Sequence, residues 1–146
     1  MPSRMRFIHF LLFTIVLFSS VQSFAQKVAN YSTGKPGTAE YEHLSFWSNR
    51  KVYYSYGNDR KEILLQYEEP NGTTLTIKFP NGLTLDASLT KNNGLLVSGK
   101  RQGNKYSKSF AWEYEGLVNG RGTYCNVCEQ SPEDAAKLLR RYYIRK

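Results

Sequence analysis

Cys125 and Cys128, with Asn126 and Val127 between them, are the only two cysteines in the chain. A C-x-x-C pair has three chemical uses: half of a metal site, a thiol–disulfide redox centre, or a short covalent clip. A structural zinc site takes four ligands, usually thiolate or imidazole. The chain holds no second C-x-x-C, and His43 is the one histidine outside the N-terminal segment. The ligand set therefore does not close, and no metal is expected. Covalent haem attachment needs histidine directly after the second cysteine, and residue 129 is glutamate. A thioredoxin-type pair sets its first cysteine at a helix N-terminus, where amides and dipole stabilise the thiolate. Here the first helix-start signal is Ser131, three residues past Cys128, and no strand–helix–strand alternation is present. A structural bridge is the favoured reading. The alternative is a redox pair, with Cys125 as nucleophile and Cys128 as resolving thiol. A bridge across so short a loop contributes only roughly 2 kcal/mol; its use is to fix the turn between the last strand and a C-terminal helix.

No other constellation points to catalysis. There is no G-x-S-x-G elbow, no phosphate-cradling glycine loop, and any serine triad would have to use His43. Glu68 and Glu69 flank a turn, where solvation accounts for them. Glu113 and Glu115 share one strand face and could meet a substrate as an acid pair, or sit opposite a basic strand holding Lys105 and Lys108. No catalytic residue and no cofactor is expected.

Charge is more informative. Lysine and arginine number 20 against 12 aspartates and glutamates, a formal net charge of +8. Lys100, Arg101, Lys105 and Lys108 gather around Gly103-Asn104, a hairpin-tip signal, and the C-terminal RRYYIRK forms a second cluster. Such patches suit an anionic glycan, a lipid head group or an acidic protein, and they also keep a surface soluble. Trp47, Tyr53 and Tyr106 join Lys100, Arg101, Lys105 and Lys108 as the candidate binding surface. Nucleic acid is not an expected partner, because the N-terminus directs the chain out of the cell.

That N-terminus has the layout of a cleavable secretory signal. Arg4 and Arg6 precede an apolar run from Phe7 to Phe18, and Ser23-Phe24-Ala25 places small residues at the two positions a signal peptidase reads. The apolar run is shorter than the roughly 20 residues a membrane-spanning helix needs. Cleavage after Ala25 is expected, leaving Gln26–Lys146 as the mature chain without a transmembrane segment. Loss of Arg4 and Arg6 lowers the net charge to +6. The junction resembles those of exported proteins of Gram-negative bacteria, which implies the periplasm or the extracellular space.

The elements that must position these residues follow from periodicity. Gln26–Thr38 reads as a flexible lead, and 39–146 as one β-rich domain. Leu44 and Phe46 share a strand face, as do Val52, Tyr54 and Tyr56. So do Ile63, Leu65 and Tyr67; then Leu75, Ile77 and Phe79; then Leu83, Leu85, Ala87 and Leu89. This period of two marks strands with one buried face. Pro70-Asn71-Gly72, Pro80-Asn81-Gly82 and Asn92-Asn93-Gly94 supply tight turns. Such short connections leave no room for crossover helices, so neighbouring strands are antiparallel. A further run carries Phe110, Trp112 and Tyr114 on one face, and a last short strand ends near Tyr124. The expected fold is mainly β, an antiparallel meander of seven to eight strands closed into a small barrel or folded as a two-layer sheet. At the C-terminus the period changes. Ser131, Pro132, Glu133 and Asp134 make a helix start, and Ala135, Leu138, Leu139 and Tyr142 line one face of an amphipathic helix over about residues 132–144.

Two stretches carry family resemblances. Tyr114-Glu-Gly-Leu-Val-Asn-Gly-Arg-Gly-Thr-Tyr124 resembles a single MORN repeat through its Y-x-G and N-G-x-G-T-Y pieces; MORN proteins carry several tandem copies, and this chain has one. Asn81–Tyr124, with Ser98-Gly99 ahead of Tyr106 and a late Trp and Cys, is similar to periplasmic C-type lysozyme inhibitors, small exported β-barrels whose S-G-x-x-Y loop blocks the enzyme cleft. Here the spacing from Ser98-Gly99 to Tyr106 is longer and the N-terminal cysteine partner is missing. A net charge of +6 also opposes a basic lysozyme. The sequence thus points to an exported, non-enzymatic binding or envelope-associated module. The rivals are a thiol–disulfide protein and an inhibitor of a cell-wall hydrolase.

Overall fold

The computed structural model describes residues 25–58, 61–68, 72–79, 82–101, 103–114 and 125–144. The expected signal segment up to residue 24, the last strand expected near Tyr124 and the repeat-like stretch after Tyr114 lie outside them. So does Glu115.

Eight antiparallel strands close into a barrel in sequence order. They are β1 (Val28–Thr33), β2 (Glu42–Trp47), β3 (Val52–Tyr56), β4 (Ile63–Tyr67), β5 (Thr74–Lys78), β6 (Thr84–Leu89), β7 (Leu95–Arg101) and β8 (Asn104–Trp112). One helix, α1 (Pro132–Tyr142), follows. Closure removes the sheet edges that a two-layer arrangement would leave. The ring has two narrow seams. β4 meets β5 through Gln66↔Lys78 and Tyr67↔Ile77, and β1 meets β8 through Tyr31↔Trp112 and Ser32↔Ala111.

Alternation explains what fills the barrel. Residues opposite each other across a ladder point to the same side. The register Ala29↔Phe46↔Val52 and Tyr31↔Leu44↔Tyr54 therefore sets one inward row. Leu75↔Ala87↔Val97 and Ile77↔Leu85 set another. All of these side chains are buried, and each fully buried large apolar side chain contributes about 1.5–3 kcal/mol. Tyr31 meets Phe46 edge-on at 6.1 Å between ring centres.

The segment expected to be a loose lead is a strand. β1 lies within Gln26–Thr38 and pairs with β2 along its whole length. In its sequence VANYST the apolar Ala29 and Tyr31 alternate with the polar Asn30 and Ser32, a run of two apolar positions too short to stand out. Ala29 and Tyr31 point into the barrel, while Val28 and Asn30 are buried beneath the cysteine segment. The Val28 amide donates to the Val127 carbonyl at 2.8 Å, and the Glu129 amide donates to the Val28 carbonyl at 2.8 Å.

The helix starts as its sequence predicts. Ser131 Oγ accepts the Asp134 amide at 3.1 Å, Pro132 opens the first turn, and Arg140 and Arg141 sit in the last. Hydrogen bonds from Lys137 and Ser131 hold the Asp134 carboxyl below its ordinary range. Ala135, Ala136, Leu138 and Leu139 are buried. α1 ends at Tyr142, just short of the expected 144, and Tyr143 turns into the barrel end. Its ring meets Phe46 at 5.3 Å and Tyr67 at 5.4 Å, and its hydroxyl donates to the carbonyls of Trp47 and of Lys51, the latter at 3.0 Å. The helix thus covers the barrel end at the β2–β3 turn. Among the described residues, no helix is long and apolar enough to cross a membrane.

Candidate functional site at the open end of the barrel

The end away from α1 has no helix among the described residues to close it, and the inward positions there are polar. Glu42 opens β2 two residues before Leu44, so the alternation that buries Leu44 and Phe46 also turns Glu42 inward. The carboxylate is 6% exposed. Burying an ion is costly unless hydrogen bonds and an opposite charge compensate it, and both are present. Oε2 accepts the Tyr106 hydroxyl at 2.8 Å and the Tyr54 hydroxyl at 3.0 Å. Oε1 pairs with Lys108 Nζ.

Strand ends explain this meeting. β8 is longer than β1 and pairs with it only through Ala111 and Trp112. Its first half therefore runs past the end of β1, and Glu42 on β2 reaches Tyr106 and Lys108 on β8 across the gap. Gly99, opposite Tyr106 on β7, lets β6 come close on its other side. A Cβ at Gly99 would lie 2.8 Å from Leu85 Cδ2 and 3.0 Å from the Thr84 carbonyl. The β7–β8 tip turns at Gly103, whose φ of 81° belongs to the left-handed region glycine favours.

A cavity of about 220 Å³ opens beside this cluster. Tyr54, Tyr56, Ile63, Phe79, Leu83 and Leu85 form its walls, with Glu42 and Tyr106 at the polar side and Arg101 at the rim. Tyr54 stacks on Tyr56 at 5.7 Å and meets Phe79 edge-on at 5.0 Å. Burial is the main force raising the phenol pKa of Tyr54 and Tyr106; the adjacent Glu42 carboxylate raises both further, and Arg101 offsets part of it. Both phenols hold their protons far above neutral pH and are fixed as donors to Glu42. Glu42 is thereby presented to the cavity as a fixed, hydrogen-bonded acceptor.

The structure divides the sequence-predicted surface. Tyr106 and Lys108 point into the barrel mouth, and Arg101 lines its rim. Lys100 and Lys105 face each other on the outer side of the same hairpin. Tyr53 lies on the outer wall of β3, and Trp47 ends β2 at the helix-covered end, so neither joins the mouth. Sequence reasoning passed over Glu42 as a site residue and treated Tyr54 as ordinary core. The signal was present: an acidic residue in phase with Leu44 and Phe46.

The cysteines lie at the other end. Their sulfurs are at bonding distance. Cys128 is 1% exposed, bridges to Val28 beside β1, and its Sγ takes a contact from Asn30 Nδ2 at 3.6 Å. Glu113 accepts the Tyr41 hydroxyl at 2.8 Å. His43 is buried on the outer face of β2, stacked on Tyr41. Ser98 and Gly99 lie within β7, paired to β6 and β8 on both sides.

Compared with known proteins, the chain matches no family model, no curated protein and no solved structure.

Proposed function

We propose that this chain is an exported, non-enzymatic binding module that takes a small ligand in the open end of its barrel. The observation that carries the reading is the cavity beside Glu42: an apolar, aromatic wall facing a buried carboxylate held by two tyrosines and a lysine. Small-molecule sites combine apolar walls with a few fixed polar groups in this way, and eight-stranded barrels have an interior wide enough for one small ligand. Export rests on the Arg4/Arg6 and Phe7–Phe18 layout and on a cysteine pair suited to an oxidising compartment.

The burial of Cys128 and the distance of both cysteines from a helix start favour a structural clip over a thiol–disulfide enzyme. The strand pairing of Ser98-Gly99 gives no support to a protruding inhibitory loop.

A fragment library screened by amide chemical shifts on the mature protein tests the site. Hits are expected to perturb Tyr54, Phe79 and Tyr106 and to be lost in an Ile63→Trp variant, which fills the rim from a half-buried position. Hits that map elsewhere, or that survive a folded Ile63→Trp variant unchanged, would overturn it.

A further inference from the structure

Resting on that reading of the open end, we infer the class of ligand: a small amphipathic monoanion. Its apolar body lies against Phe79, Leu83 and Leu85, and its anionic group lies on Arg101 at the rim.

Charge gives the sign. Among the described residues Glu42 is the one acidic side chain lining the cavity, and both of its oxygens are engaged by Tyr54, Tyr106 and Lys108. Lys108 balances its charge. Among the described residues no carboxylate pairs with Arg101, so its guanidinium is the cation there that no described carboxylate neutralises. A guanidinium offers two parallel donors that match a carboxylate. Lys100 and Lys105, exposed on the same hairpin, add to the positive potential that draws anions inward. A cationic ligand would face the Arg101 guanidinium at the rim.

Hydrogen-bond inventory gives the orientation. The phenolic protons of Tyr54 and Tyr106 are already committed to Glu42, so the floor presents acceptors only. An anion placed there would meet the Glu42 carboxylate, which puts the head group at the rim and the apolar body inside. Size gives the scale. About 220 Å³ is below the roughly 300–1,000 Å³ of sites for drug-sized molecules, so the body is a single ring or a short acyl chain.

The test titrates the mature protein with three probes of one shape: benzoate, benzamide and benzylammonium, with hexanoate as a second anion. Amide shifts are read at pH 7 and low salt for the wild type and for Arg101→Gln. The expected result is that the anions shift Leu85, Arg101 and Tyr106, while the neutral and cationic probes do so much more weakly. Arg101→Gln should weaken the anions about tenfold, the usual weight of a charge-assisted pair. Benzylammonium binding the mouth as well as benzoate, or an unaffected Arg101→Gln, would overturn the anion assignment while leaving the mouth as a site. No shift at the mouth with any probe would overturn both.

Discussion

The two ends of this barrel are built from the same inward rows of the same strands, yet they are finished in opposite ways. At one end Phe46, Tyr67 and Tyr143 interlock, and the Tyr143 hydroxyl donates to backbone carbonyls of the β2–β3 turn. At the other end the Tyr54 and Tyr106 hydroxyls donate to a buried side-chain carboxylate, and a cavity is left beside it. Tyrosine does the same physical work at both, an apolar ring with a polar tip that must find an acceptor. What differs is the acceptor. Backbone carbonyls are supplied by a turn that exists anyway, so the helix end is dry packing. A carboxylate must be brought in, paired and hydrogen-bonded, a desolvation cost that the helix end does not carry.

Phe46→Ala tests the dry end and should have the largest effect. It removes a fully buried ring at the contact with Tyr31 and Tyr143, and about 3–5 kcal/mol of stability should be lost by urea denaturation. A loss below about 1 kcal/mol would show that α1 does not depend on this contact.

Glu42→Ala tests the polar end. It strands two buried hydroxyls and a lysine, and should cost about 2 kcal/mol. That is less than the 3–5 kcal/mol of a fully buried pair, because Lys108 retains water contact. The double variant Glu42→Leu/Lys108→Met removes the stranded lysine but not the two stranded hydroxyls, and should recover only part of that loss. If the double variant is as unstable as Glu42→Ala, the cluster is structural and the contrast between the ends collapses.

Tyr106→Phe is the finest probe, about 1 kcal/mol at neutral pH, and its pH dependence carries the sign. The folded protein holds the Tyr106 proton above the ordinary phenol range, whereas the unfolded chain releases it near pH 10. The stability this supplies is complete below about pH 10 and is lost as pH rises beyond it. Thermal midpoints of wild type and Tyr106→Phe should therefore converge above pH 10. A gap that stays constant to pH 11.5 would mean that Tyr106 ionises as freely in the folded state as in the unfolded one.

Much of the site was within reach of the sequence, but unevenly. Tyr106, Arg101 and Lys108 stood out because charge and aromatic character cluster around Gly103-Asn104. Glu42 did not, because period-two reasoning looks for apolar residues in phase and passes over a polar one in the same phase. Trp47 and Tyr53 were drawn in by residue type, and only the register shows them on other surfaces. β1 was missed because its inward phase offers only Ala29 and Tyr31, with the apolar Val28 in the opposite phase.

Local physical chemistry, written in the residue order, determined the antiparallel strands, their tight turns, the Ser131 cap and the start of α1. Each depends on neighbours within a few positions. Which end α1 covers, that the sheet closes, and that Glu42 meets Tyr54, Tyr106 and Lys108 were decided only in the tertiary structure. Those contacts join residues up to 96 positions apart, and their partners are chosen by strand register and by β1 ending short of β8, quantities that no local stretch of sequence contains.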